Sequence, residues 1–237
     1  MMENKHPGND SVTLYNKGNE AGMRNDFAEA FECFQKAAEQ GYAPAQCNLA
    51  YCYEKGHGVP QNLTKAAEFY NKAAEQGYAP AQCNLGWCYE SGNGVDLDSS
   101  KAFDYYQKAA DYGYAPAQAN LGYCYENGIN VTKDLDEAFK FYHKAAIQGN
   151  TFAQYNLGSC YESGKGVEKD EAKAIELYKK SAERGYVPAQ FQLGYCYENG
   201  IGIAKNVIKA YEWYNYAAEQ GHPIAKKNLI NLKKHLE

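Results

Sequence analysis

The sequence predicts an all-α solenoid, a row of helix-turn-helix units, on three observations. A stretch recurs at a step of 36 residues: Leu85-Gly86-Trp87-Cys88-Tyr89-Glu90-Ser91-Gly92-Asn93-Gly94-Val95 has counterparts that begin at Leu49, Leu121, Leu157 and Leu193. Inside it, Leu85, Cys88, Tyr89 and Gly92 fall at i, i+3, i+4 and i+7, one face of a helix. Finally, an alanine followed four residues later by an aromatic ring marks a second helix in every unit: Ala30/Phe34, Ala66/Tyr70, Ala102/Tyr106, Ala138/Tyr142, Ala174/Tyr178 and Ala210/Tyr214. A fixed period in this range is the signature of stacked repeats, each burying its apolar face on the next. The expectation is six helix pairs plus a C-terminal capping helix.

Taken in order, residues 1–9 are polar, contain His6-Pro7-Gly8, and are expected to form a flexible tail. The first unit, about 10–43, reads as a helix from Asp10 to Gly22 and another from Asp26 to Gln40; aligning Gly18 with Gly56 makes it a 34-residue unit, the tetratricopeptide length. The regular units span about 44–79, 80–115, 116–151, 152–187 and 188–221. In the 80–115 unit, Pro80 sits in the first turn, where its missing N–H costs nothing. Gly86 lies in mid-helix, where glycine costs about 1 kcal/mol against alanine. Only Ala50 replaces it, so the position predicts close approach of another helix backbone. Gly92 ends the helix and Gly94 lets the loop turn. A second helix follows from about Ser99 to Tyr112, with Ala102, Tyr106, Ala109 and Ala110 inward. Residues 222–237 read as the capping helix, with Ile224, Leu229 and Leu232 on the last apolar face and Lys226, Lys227, Lys233 and Lys234 toward water.

Composition narrows the function. With 45% hydrophobic and 22% charged residues the chain can fill a core, and a net charge of −5 argues against a nucleic-acid partner, which needs a basic face. No apolar run approaches the ~18 residues of a membrane span, and the start lacks the apolar core of a signal peptide. The expected location is cytoplasmic, with the nucleus as the alternative. Cys52, Cys88, Cys124, Cys160 and Cys196 recur at the repeat period. Equivalent positions in stacked helix pairs stand roughly 20 Å apart, against the ~7 Å a disulfide tolerates between Cα atoms. With no CxxC present, the eight cysteines read as small core hydrophobes in a reducing compartment. The five histidines are scattered, without an HExxH pair. Gly56-His57-Gly58 lacks the lysine and length of a phosphate loop. Neither an enzyme nor a metal or cofactor site is expected.

The run Leu-Gly-x-x-Tyr, Gly-x-Gly-Val, then Lys-Ala-x-x-Tyr-Tyr-x-Lys-Ala-Ala and glycine, from Leu85 to Gly113, resembles the Sel-like repeat, a relative of the tetratricopeptide repeat. The resemblance runs from about residue 45 to about residue 235, and the opening unit is more similar to a plain tetratricopeptide repeat. Departures are Ala50 for glycine, Asn130 for the second loop glycine, Phe152 for proline and Ser181 for alanine. The resemblance implies a right-handed solenoid whose first helices line a concave groove. It also implies an adaptor, since members of the family are assembly platforms in protein degradation, cell-wall synthesis control, kinase signalling and bacteria–host contact. A secreted branch carries one disulfide per repeat, but Ala74, Ala110 and Ala146 hold one of the two positions here.

In that geometry the groove should display Tyr51 and Glu54, Trp87 and Glu90, Tyr123 and Glu126, Tyr155 and Glu162, and Phe191, Tyr195 and Glu198. The rings serve either partner contact or packing on the neighbouring first helix. A glutamate near a helix C-terminus opposes the dipole, so its recurrence points to a local hydrogen bond with the glycine loop. Five carboxylates along one edge would favour a protein segment carrying Lys or Arg beside apolar anchors. A lysine/asparagine clamp for a carboxylate is not visible, since the groove offers Lys55 alone. The function expected is a scaffold binding a peptide or helical segment, as a monomer or a weak homodimer through the repeat ends. The alternative is a regulatory subunit or detached module that docks on an enzyme of kinase, ubiquitin-ligase or cell-wall synthase type through those ends.

Overall fold

The computed structural model describes residues 7–236 as helices joined by turns, with no strand among them. The helices come in pairs: α1 (Pro7–Met23) with α2 (Phe27–Glu39), α3 (Ala43–Lys55) with α4 (Leu63–Glu75), α5 (Ala79–Ser91) with α6 (Ser99–Asp111), α7 (Ala115–Asn127) with α8 (Leu135–Ile147), α9 (Thr151–Ser163) with α10 (Glu171–Glu183), and α11 (Val187–Asn199) with α12 (Val207–Glu219). Helix α13 (Pro223–Leu236) closes the array. The fold is thus the expected all-α repeat solenoid of six helix pairs and a C-terminal helix. The chain divides into two compact units between Ala117 and Gln118.

Local chemistry sets the helix ends. Each second helix follows a residue whose side chain accepts from the third amide of the first turn, as Asp98 Oδ1 does from Lys101 N at 3.0 Å; Asp134 also takes a second amide in α8. Such a cap is worth about 1 kcal/mol. First helices α3, α5, α9 and α11 end on a glycine in the left-handed region, whose N–H returns to a cysteine carbonyl, as Gly92 N does to Cys88 O. Gly94, two residues on, is both left-handed (φ +75°) and pressed against the Leu63 carbonyl, so any Cβ there would collide with backbone.

The core of residues 7–117 is built from Leu49, Leu85 and Tyr70 among alanines from both helix layers. That of residues 118–236 contains Leu193, Tyr178 and Tyr214. First helices are buried on most sides: in α5, Ala81, Gln82, Cys83, Leu85, Gly86 and Cys88 are all covered. Alanines on second helices admit this close packing, and one aromatic ring per pair fills the gap, Phe34 in the first and a tyrosine in the other five.

Three expectations need correction. Gly86 is kept small mainly by a ring: a Cβ there would lie 2.8 Å from Tyr106, with the Ala102 carbonyl at 3.2 Å. Gly18 is not the counterpart of Gly56; it lies within α1 against Phe34, in the role Gly86 has against Tyr106. It precedes Ala30 by 12 residues where Gly86 precedes Ala102 by 16, so the first unit is shortened in its turn. In α13 it is Ala225 and Leu232 that are buried, with Leu229 packed beside them, while Ile224 is 53% exposed. Of the expected N-terminal tail, residues 1–6 lie outside the described residues, and Pro7 opens α1.

Candidate functional site

In the five pairs from α3 onward, the recurrent glutamate of the first helix accepts a hydrogen bond from the tyrosine hydroxyl of its paired second helix. Tyr70 Oη donates to Glu54 Oε2 at 2.8 Å, Tyr106 to Glu90 at 2.6 Å, Tyr142 to Glu126 at 2.9 Å, Tyr178 to Glu162 at 2.7 Å and Tyr214 to Glu198 at 2.6 Å. These tyrosines are the largest fully buried side chains. Burial, with the adjoining carboxylate, pushes the hydroxyls of Tyr70, Tyr142, Tyr178 and Tyr214 far above the usual tyrosine range, so each stays protonated as a donor. The sequence pointed to a bond with the glycine loop; the donor is instead a ring 16 residues ahead, which satisfies its own buried hydroxyl in the same contact.

The second oxygen of each carboxylate differs from repeat to repeat. Lys55 Nζ pairs with Glu54 Oε1 at 2.6 Å and Lys165 Nζ with Glu126 Oε1 at 2.8 Å. Gln192 Nε2 reaches Glu162 at 3.2 Å. No ion pair forms at Glu90, Glu162 or Glu198 among the described residues. Lys165 escaped the sequence reading because it is 39 residues from Glu126, on the turn of the following repeat. The negative edge is accordingly weaker than five bare carboxylates.

One turn before Glu54, Glu90, Glu126 and Glu198 stands the expected ring; Glu162 has Ser159 in that place. Tyr51 is 46% exposed and Trp87 41% in residues 7–117; Tyr123 is 42% and Tyr195 41% exposed in residues 118–236. On helices that bury nearly every neighbour, a large aromatic left open at one fixed position is the distinguishing feature of this face. Tyr155 and Phe191 are half-buried and engaged: Tyr155 packs on Tyr178 and Tyr186, and Phe191 on Tyr214 and His222. Cys47 and Cys83, one turn earlier, are buried. All eight cysteines are buried, and none is in a disulfide. Burial raises Cys47, Cys83, Cys88 and Cys196 to about 12 and Cys52 and Cys160 to about 11. No group of three or more His, Cys, Asp or Glu side chains is placed to hold a metal among the described residues. No helix there is long and apolar enough to cross a membrane.

The family model for the Sel1 repeat matches residues 13–42, 43–78, 79–114, 115–150, 151–186 and 187–222. The structure of a Sel1 repeat protein from Oxalobacter formigenes is 35% identical, covers 93% of this chain and 86% of its own, and superposes with a TM-score of 0.80. That of c5321, a protective antigen of uropathogenic Escherichia coli, is also 35% identical with a TM-score of 0.74, over 95% of this chain and 48% of the antigen. The DAP3-binding cell death enhancer 1 of Mus musculus is 41% identical over 54 residues, which is 23% of this chain and 11% of the mouse protein.

Proposed function

The chain belongs to the Sel1-repeat family, whose members are generally protein-interaction scaffolds, and on that premise we propose that it binds a peptide or helical segment of another protein on the open face of its first helices. The recurrence of an exposed ring at one helix position carries this reading: Tyr51 and Trp87 in one compact unit, Tyr123 and Tyr195 in the other. Rings of this kind bury large area at low entropic cost and dominate interface energies. Glu90, Glu162 and Glu198, which form no ion pair among the described residues, favour a segment with Lys or Arg beside its apolar anchors and act mainly on association rate. Glu54, Glu126, Tyr155 and Phe191 support this surface from beneath. The chain acts without chemistry of its own, as a monomer in a reducing, cytoplasmic setting that suits eight cysteines outside any disulfide.

The test is binding of labelled peptides to the full chain by fluorescence anisotropy. Peptides that place Lys or Arg beside Leu or Phe should bind, and acidic counterparts should not. Trp87→Ala should weaken binding roughly thirtyfold, the ~2 kcal/mol of truncating a central ring, and Glu90→Gln by less. Preference for acidic peptides, or affinity that survives both Trp87→Ala and Tyr123→Ala, overturns the proposal. A second reading, docking on an enzyme through the end of the array, draws on Ile224 and Ile230, which are 53% and 59% exposed on α13. In that case Ile224→Ser with Ile230→Ser abolishes association and the ring variants do not.

A further inference from the structure

Within residues 118–236, the outer face of one repeat departs from an arrangement that three other repeats share. In three repeats an aromatic ring of the second helix stacks on a tyrosine of the first: Phe69 on Tyr53 and Tyr105 on Tyr89, both with centroids 5.8 Å apart at 6°, and Phe141 on Tyr125 at 5.5 Å and 11°. The next repeat places Leu177 opposite Tyr161. Two further departures fall beside it. Ile147, 72% exposed, replaces the acidic residue that ends the other second helices, such as Glu75 or Asp111. Arg184 replaces a glutamine.

That last exchange strands a buried acceptor. Gln76, Gln148 and Gln220 donate from Nε2 to the Oε1 of the buried Gln46, Gln118 and Gln190 at 2.7, 2.8 and 2.8 Å. Arg184 donates to the Gly149 carbonyl instead. Gln154, only 6% exposed, therefore keeps an Oε1 with no hydrogen-bond partner. Its Nε2 donates to Ala146 O at 3.2 Å, which fixes the oxygen as the unpaired end. Gln154 lines an open groove of about 480 Å³ together with Ile147, Leu157, Tyr161 and Leu177, with Lys180 beside them. Lys180 is paired with Glu176 at 2.6 Å, so the rim asks for no charge.

We propose that this groove binds the indole of a tryptophan carried by a partner polypeptide. An indole supplies the two things the site lacks, a flat apolar body to lie on Tyr161 between Leu177 and Ile147, and one N–H to donate to Gln154 Oε1. It brings no acceptor that would need a donor in return. A phenyl ring leaves the oxygen unpaired, and a sugar or phosphate brings more polar groups than one acceptor can satisfy. The groove is open to solvent, which leaves room for the backbone bearing the ring. None of the exposed rings on the first helices takes part, so this inference stands apart from the function proposed above.

The test is a titration of the isotope-labelled full chain with N-acetyltryptophanamide, followed by amide NMR. Saturable shifts should appear at the Gln154 side-chain amide and along α9 and α10. The 1-methylindole analogue, which has no N–H, should bind about fivefold more weakly, as loss of one ordinary hydrogen bond implies. Leu177→Phe, which rebuilds the stack found in three other repeats, should abolish the shifts without lowering the melting temperature. Gln82 is an internal control: its Oε1 is also unpaired, but Tyr105 retains its stack there, and its signals should stay still. Equal affinity for the methylated analogue, binding that survives Leu177→Phe, equal shifts at Gln82, or no saturable shift would each overturn the proposal. Free indole binding more tightly than the amide would overturn the polypeptide source in favour of a small molecule.

Discussion

Tyr70 Oη donates to Glu54 Oε2 at 2.8 Å, a bond between a fully buried ring and a buried carboxylate that joins α4 to α3. Tyr70→Phe removes the donor and leaves a charge that is hard to solvate. It should cost about 1–3 kcal/mol of stability, read as a lowered urea midpoint at unchanged slope. Adding Glu54→Met should recover part of that loss, because replacing both partners with apolar groups removes the stranded charge. A double variant weaker than the single one would contradict this account.

Glycines that look alike in the sequence should respond differently. Gly86→Ala should be nearly neutral: Ala50 stands at the same repeat position, in one buried cluster with Tyr70, and the gain in helix propensity of about 1 kcal/mol offsets a shift of the Tyr106 ring. Gly86→Val should cost about 1–3 kcal/mol by overpacking. Gly94→Ala should be more damaging than Gly92→Ala, because a Cβ at Gly94 meets backbone while one at Gly92 finds nothing nearer than 3.6 Å. Thermal melts of the four variants check the order.

His222 gives the C-terminal helix a pH dependence. Its Nδ1 accepts from Ala225 N at 3.1 Å, capping α13, and its ring stacks on Phe191 at 4.4 Å. Burial holds its pKa below the usual histidine value. A group whose folded pKa is depressed in this way contributes fully above about 6.5, its unfolded value, and loses that contribution as pH falls through the folded pKa. Protonation of Nδ1 also removes the cap. Protection of the α13 amides against hydrogen exchange, referred to the intrinsic rate at each pH, should fall as pH drops below about 6.5, and His222→Asn, which caps without titrating, should flatten the profile.

The thiols should be silent in the folded chain. At about pH 8, below the ordinary thiol pKa of about 8.5, cysteines raised to about 11 or 12 carry almost no thiolate. A thiol reagent should label them only at the rate of unfolding, and denaturation without reductant should release eight equivalents. Fewer than eight, with a mapped link, would contradict the disulfide-free core.

The 36-residue step exposed the helix pairs, the inward alanines and tyrosines, and the open rings at Tyr51, Trp87, Tyr123 and Tyr195, because each is a periodic property of chemical type. The glutamate's partner was not legible. Sixteen residues is no neighbour distance along a helix, and the pair meets only after the chain has turned back. Ile224 was misplaced by one residue: Ala225 and Leu232 are seven apart on the inward face, and a one-step shift swings a side chain about 100° around the axis. Leu177, Ile147 and Arg184 were visible as departures from the pattern. Their meaning required Gln154, whose amide is satisfied or stranded by a residue 30 positions away.

The tyrosine–glutamate bond begins and ends inside one helix pair, and so does each glutamine–glutamine bond; what crosses to the preceding pair is the amide of Gln46, Gln82, Gln154 or Gln190, which donates to the carbonyl eight residues back. A gene that gains or loses one block of 36 residues therefore carries its internal bonds along intact, wherever the breakpoints fall outside the pair. The junction is restored as well, because its acceptor is a backbone carbonyl that any incoming second helix supplies. A block that ends on Tyr112 or Arg184 carries along its own unpaired amide oxygen on Gln82 or Gln154. Array length can thus drift freely by duplication, while individuality accumulates inside the pairs, and a new binding specificity can arise there from a single codon.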